Sequence, residues 1–243
     1  MSIPFSNTTD NNGIAEQARY KARVDSTQWA NYKIANSAND WHDFITGYAI
    51  GNDKRFQWDD TNHTKLPEGT TNLVANQSDY SFLTDEQGNS IITLTRIDML
   101  ANDGVTWVKL KEIDQADVSK EIGLRSLFAT TAQPLYYDKI ADNIIRLYPT
   151  PNTSITNGLR FYFQRTGSYF TASDTTKSPG VSPLLHKGYV IACAYDIAIT
   201  LGLDCIATLK DQLNEEKQKV IQYFADRNQD IKKVMIPKRF NFR

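Results

Sequence analysis

The sequence predicts an α+β fold: a helical bundle built from N- and C-terminal helices, with a large inserted antiparallel β-region and an extended C-terminal tail. Three observations carry this expectation. Apolar residues recur at helical spacing over residues 14–50 and again over 183–231, while the residues between them alternate in short runs punctuated by turn signals. The stretch from Pro183 to Gly202 is apolar or small nearly all round, so it must be covered on several sides. Pro237 then prevents helical continuation through the last twelve residues, KKVMIPKRFNFR. The expected organisation is an N-terminal arm and helices over 1–52, a β-insertion over 53–170, C-terminal helices over 171–231 and a docking tail over 232–243. The economical packing joins both ends of the chain in one bundle from which the β-region projects.

Residues 1–12, MSIPFSNTTDNN, are polar and without periodicity, and read as an extended or disordered arm. From Ile14 to Ile50 a broken amphipathic helix is expected. Its apolar positions include Ala18, Trp29, Trp41, Phe44, Ile45 and Tyr48. Asp25-Ser26 breaks the run and caps a second helix starting near Thr27. Gly47 and Gly51-Asn52 close it.

Strands are expected next. Arg55–Trp58 is a short one, and Thr61–Thr70 is a polar loop holding Pro67. Asn72–Ala75 and Tyr80–Leu83 flank a turn. Ser90–Met99 turns back through Asp103-Gly104 into Val105–Leu110, the clearest hairpin in the chain. Gln115–Ser126 reads as a short helix. Pro134–Lys139 and Asn143–Tyr148 form a second hairpin, ended by Pro149 and Pro151 because proline cannot donate to a ladder. Leu159–Gln164 is a strand and Ser173–Pro183 a loop. The aromatics Phe161, Tyr162, Phe163, Tyr169 and Phe170 suit a sheet core, and Trp58 and Trp107 suit either that core or intersubunit contacts.

Helices return at 183–202 and 204–231. Ser182 is the expected N-cap, Pro183 the first helical residue and Gly202 the terminator. At under twenty residues, with Lys187 and Asp196 inside, the first of these suits a core helix better than a membrane span. In the second, Ile206, Leu209, Leu213, Val220, Tyr223 and Phe224 should face inward, and Glu215, Glu216, Lys217 and Lys219 outward. The N-terminus lacks the apolar stretch of a signal peptide.

The chemistry the residues carry is sparse. The formal net charge is -1, which argues against a whole-surface nucleic-acid binder. Cys193 and Cys205 are the only cysteines; their spacing fits no zinc motif, and two buried reduced thiols are expected. Asp59, Asp60 and His63 form the nearest approach to a metal or hydrolase cluster, and read as a solvated loop whose carboxylates cap turns. No phosphate-binding glycine loop, nucleophile elbow or CxxC occurs. No catalytic, metal or cofactor site is expected, and no enzyme. The tail is more informative. Lys232, Lys233, Lys238, Arg239 and Arg243 alternate with Val234, Met235, Ile236, Phe240 and Phe242. The functional reading is edge addition to a partner, through Ile236, Lys238, Arg239, Phe240, Phe242 and Arg243, with the two phenylalanines as anchors.

These residues also resemble a family. Ile145-Arg146-Leu147-Tyr148-Pro149-Thr150-Pro151, then Leu159-Arg160-Phe161-Tyr162-Phe163, then Pro179 and a small-residue helix opened by Pro183-Leu184-Leu185, look like the head-to-tail connector (adaptor) proteins of tailed bacteriophages. Phe56-Gln57-Trp58-Asp59-Asp60-Thr61-Asn62, with Leu66-Pro67, Thr70-Thr71 and Asp79-Tyr80, is similar to members with an enlarged β-region. The resemblance spans roughly residues 13–231. It implies a homo-oligomeric ring, usually of twelve copies, beneath the portal protein at the neck of the virion. Such a ring extends the DNA channel and offers a platform to the next tail or neck protein, with non-sequence-specific proximity to packaged DNA and no membrane. It implies assembly in the host cytoplasm and makes 232–243 the portal-binding segment. The alternatives are another neck or tail ring (a tail terminator or tail tubular protein) and a receptor- or glycan-binding β-module on a helical stalk.

Overall fold

A computed structural model describes residues 2–52, 60–113 and 130–227. The chain divides into two compact units, Met1–Asp53 with Phe170–Arg243, and Lys54–Tyr169. The fold is α+β. The expected strand at Arg55–Trp58, the expected helix at Gln115–Ser126 and the tail lie outside the described residues.

The first unit holds α1 (Ile14–Ala22), α2 (Asn31–Asn52), α3 (His186–Leu201) and α4 (Ile206–Arg227). Helix α3 is the hub, packing against α1, α2 and α4. Its Tyr189, Val190, Ile191, Cys193, Ala194, Ile197 and Ala198 are all buried. Each large aliphatic or aromatic side chain so buried stabilises the unit by ~1.5–3 kcal/mol. By length and composition Pro183–Leu201 would suffice to cross a membrane, a test that a core helix also passes, and here three helices cover it. Entry to α3 departs from expectation. Ser182 makes no side-chain cap bond, and Pro183–Leu185 forms a 3₁₀ turn first, as commonly occurs at helix starts. Exit is as the sequence implies: Gly202 sits at φ 65°, and Leu203 N–H reaches the Ala198 carbonyl at 2.9 Å.

Helix α1 ends at Arg23 in the left-handed region. The break at Asp25 is present, but α2 begins at Asn31 rather than near Thr27. The Asp25 carboxylate accepts the N–H groups of Thr27 (2.9 Å) and Gln28 (2.8 Å), closing a separate turn before the helix. In α4, Leu209, Leu213, Val220 and Phe224 face inward, whereas Glu216 is also buried, paired with Lys219 at 2.7 Å.

The N-terminal arm is anchored through Phe5 and Ser6, while residues 8–12 stay exposed. Phe5 is fully buried and stacks on Phe170, ring centroids 5.1 Å apart. Phe5 N–H donates to the Lys177 carbonyl (2.7 Å), and Ile14 and Ala15 N–H donate to the carbonyls of Pro4 and Phe5 (both 2.9 Å). One aromatic residue in a polar run anchors the segment, which composition averaged over twelve residues conceals.

The second unit contains β1 (Glu68–Leu73), β2 (Asp79–Ser81), β3 (Ile91–Leu100), β4 (Trp107–Lys109), β5 (Lys111–Glu112), β6 (Thr131–Ala132), β7 (Tyr136–Ala141), β8 (Ile144–Tyr148), β9 (Thr150–Pro151) and β10 (Ile155–Arg165). One sheet runs β1-β10-β3-β4 and another β2-β8-β7-β5, with a small β6-β9 pair. Pairing is antiparallel except for the short β5/β7 and β6/β9 contacts. Both expected hairpins form. Several boundaries differ: β10, expected from Leu159, begins at Ile155, and β4 covers only Trp107–Lys109 of the expected Val105–Leu110. The first strand begins at Glu68, inside the expected loop, because Pro67 lies only at its edge. Pro151, expected to stop pairing, lies in β9, whose short pair with β6 it closes. The inner faces of the two large sheets share one core, including Leu73, Tyr80, Phe82, Ile97, Met99, Ile145, Leu147, Leu159, Phe161 and Phe163.

Candidate functional site

In the loop expected to be solvated, Thr61 and Thr64 are exposed and Asp60 caps a turn as expected, but Asp60 and His63 themselves are buried. Asp60 is 1% exposed. Its carboxylate accepts the backbone N–H of Asn62 at 2.8 Å and of Ser168 at 3.0 Å, tying the start of the unit to the end of β10. His63 is buried beside it in sequence but faces Asp85, 3.7 Å away. Asp59 lies outside the described residues. Among the described residues no three His, Cys, Asp or Glu side chains gather as metal ligands.

The strongest charge cluster of the β-unit was not legible in the sequence. Arg165, at the end of β10, is 1% exposed and donates from Nη1 to Asp85 (3.0 Å) and Glu86 (3.2 Å). Its Nη2 donates to the Lys65 carbonyl. Burial alone would raise the Asp85 pKa. Hydrogen bonds from Asn89, Gln87 and Arg165 outweigh it and hold the carboxyl below the usual carboxylate range. The cluster pins the Asp85–Asn89 turn against the sheet. The only hint in the sequence is an arginine closing an aromatic strand.

The outer face of the β1-β10-β3-β4 sheet carries a second feature. The Arg160 guanidinium lies 4.1 Å from the Trp107 ring centroid, and that of Arg96 lies 5.4 Å from Tyr162. Strand alternation puts these residues opposite Phe161 and Phe163, which are buried. Trp107 therefore contributes to the outer face and not to the core. Tyr169 is exposed, while Phe170 is buried in the helical unit. Single exposed apolar side chains occur on both units, including Tyr20 and Leu184 on one and Leu66 and Val105 on the other.

Of the two cysteines expected to be buried and reduced, one departs from expectation. Cys193 is buried, and burial pushes its thiol well above the ordinary range; Cys205 is only half-buried. Both are free thiols. The tail residues Ile236, Lys238, Arg239, Phe240, Phe242 and Arg243 lie outside the described residues.

Asp60 and Arg165 are thus held in bonds that fix the fold of the β-unit. Residues 17–235 match the family model for the SU10 adaptor protein, and the chain belongs to that family. It is a structural adaptor protein of a phage. No curated protein matches it.

Proposed function

We propose that this protein is a head-to-tail connector, a ring-forming adaptor that binds below the portal, extends the DNA channel and provides the platform for tail attachment. The match to the adaptor family across 17–235 is the observation that carries the reading. The helical unit built on α3 supplies the scaffold, and the β-unit meets the next neck or tail component. About twelve copies close the ring, so each interface is repeated and modest contacts per copy suffice. A net charge of -1 lets packaged DNA pass without strong phosphate attraction. Ile236, Lys238, Arg239, Phe240, Phe242 and Arg243 dock on the portal, and no cofactor or catalytic step takes part. Assembly runs in the host cytoplasm and ends at the virion neck.

The test is a pull-down on the purified portal, with and without residues 232–243, followed by imaging of the mixture. Rings that carry the portal, and capture lost on truncation, are expected. Retained capture without the tail refutes the docking role. A chain that stays monomeric with the portal refutes the connector reading.

A further inference from the structure

The open seam of the β-unit is the feature with no assigned role. Strands β1 and β2 follow one another through the Val74–Gln77 turn, yet they do not pair. Among the described residues β1 is the outermost strand of one sheet and β2 of the other. Between them opens a cavity of about 690 Å³ lined by Leu66, Gly69, Ser81, Phe82, Phe161 and Phe163, with Lys65, Glu68 and Glu86 among its charged residues. Gly69 leaves the slot uncrowded: a Cβ there would stand 3.4 Å from the Phe163 ring.

Register fixes which backbone groups face the slot. Phe163 N–H donates to the Pro67 carbonyl at 3.1 Å, so that pair is hydrogen-bonded. Antiparallel pairs alternate, so Gly69 and Phe161 bond next, and Glu68 and Thr70 turn their N–H and C=O away from β10; the Glu68 N–H is taken by the Leu66 carbonyl at 2.6 Å, so β1 presents the Glu68 carbonyl and both backbone groups of Thr70. On β2, Leu147 N–H donates to the Ser78 carbonyl (2.9 Å) and Phe82 N–H to the Asn143 carbonyl (3.0 Å), which leaves Asp79 and Ser81 pointing outward by the same alternation, the Asp79 carbonyl accepting from Gln77 Nε2 at 2.9 Å. The slot thus presents strand edges on two sides and an aromatic floor, which is the recognition chemistry of an added β-strand.

We infer that this seam takes the C-terminal segment of a second copy of the chain, residues 232–243, as an added strand. The segment carries five cations and no acid. Phe240 and Phe242, two apart, fall on one side of an extended chain and suit the floor made by Phe82, Phe161 and Phe163. Its charges complement Glu68; Asp85 and Glu86 are already paired with Arg165, and Lys65 also lines the slot. Sixteen residues follow Arg227, a reach of ~50 Å when extended, enough to span to a neighbour. The inference rests on 232–243 being a docking segment. It adds that, before the portal is met, a neighbouring copy holds that segment and keeps its cations off nucleic acid.

The full chain carrying p-benzoylphenylalanine in place of Phe240 tests it. Equal parts of ¹⁵N-labelled and unlabelled protein are mixed without portal, irradiated and mapped by mass spectrometry. Cross-links between unlike copies, landing in residues 66–71 or 81–86, are expected. Thr70→Pro, which removes an outward N–H, and Glu68→Lys should each lower their yield about fivefold, with an unchanged melting temperature showing that the variants fold. Cross-links within one copy only, elsewhere, or absent overturn the inference. If they form only after portal is added and land on the portal, the inference falls and the portal-docking reading stands. If they land in the seam while portal capture survives deletion of 232–243, the reverse holds.

Discussion

Gly188 of α3 packs directly under the indole of Trp41 on α2: a Cβ at this glycine would sit 2.8 Å from Trp41 Cζ2 and 2.9 Å from Nε1. Trp41 is 4% exposed and stacks on Phe44 at 4.9 Å, so the ring has little room to retreat. The glycine's cost in helix propensity, ~1 kcal/mol, is the condition for this close approach. Gly188→Ala gains that propensity but overpacks the contact, and a net loss of about 1–2 kcal/mol is expected from urea unfolding. Trp41→Phe in the same background should recover part of the loss. Equal or greater stability of Gly188→Ala would refute the packing argument.

Breaking the charge cluster of the β-unit should cost more. Arg165→Met leaves Asp85 buried without its cation, and a loss of about 3–5 kcal/mol is expected. Adding Asp85→Leu to that variant removes the stranded charge and should return a substantial part. Equal stabilities of the single and double variants would show that the two side chains are not coupled.

The Asp85 carboxyl also sets an acid limit. Its folded pKa lies below the usual value, so its contribution is complete above the unfolded value of ~3.9 and is lost as pH falls through the folded one. The β-unit should lose stability below about pH 4. Near-ultraviolet circular dichroism across an acid titration, compared with Asp85→Asn, checks it: the wild-type transition should shrink in the variant.

A second pH effect lies in the helical unit. His186 Nδ1 accepts the Ile3 N–H at 3.0 Å, while Nε2 stands 3.0 Å from the Val181 carbonyl, a geometry that suits the neutral Nε2–H ring. Burial pushes its pKa below the ordinary value. The unfolded chain therefore takes up a proton near pH ~6.5 that the folded ring does not. Stability is full above that pH and falls as pH drops toward the folded pKa. The melting temperature should decline from about pH 7.5 to 5, and His186→Gln should flatten the decline. An unchanged slope in the variant would assign the effect elsewhere.

Thiol reactivity offers a simple check of burial. Cys193 is enclosed by α3 and its neighbours, and its Sγ–H points to the Ile34 carbonyl at 3.7 Å. Cys205 is half-buried just before α4. A thiol reagent should label Cys205 in the native protein and Cys193 only after denaturation. Rapid native labelling of Cys193 would contradict the packing of α3.

The sequence determined the alternation of fold types along the chain, the identity of the central helix and its Gly202 stop, both hairpins, and the place of Phe161 and Phe163 in the core of the β-unit. Each depends on periodicity or turn chemistry within a few residues, which is local information. Only the tertiary structure decided that Phe5 anchors the N-terminal arm on Phe170, that Glu216 turns inward, that Ser37 of α2 bonds Asp196 of the otherwise apolar α3, and that Arg165 closes a charge cluster with Asp85. The β1–β2 seam belongs with these, because two strands adjacent in sequence went to different sheets. Such pairings join residues tens to more than a hundred positions apart. They arise from burial and the need to satisfy polar groups once the chain is compact, and no local pattern in the sequence encodes them.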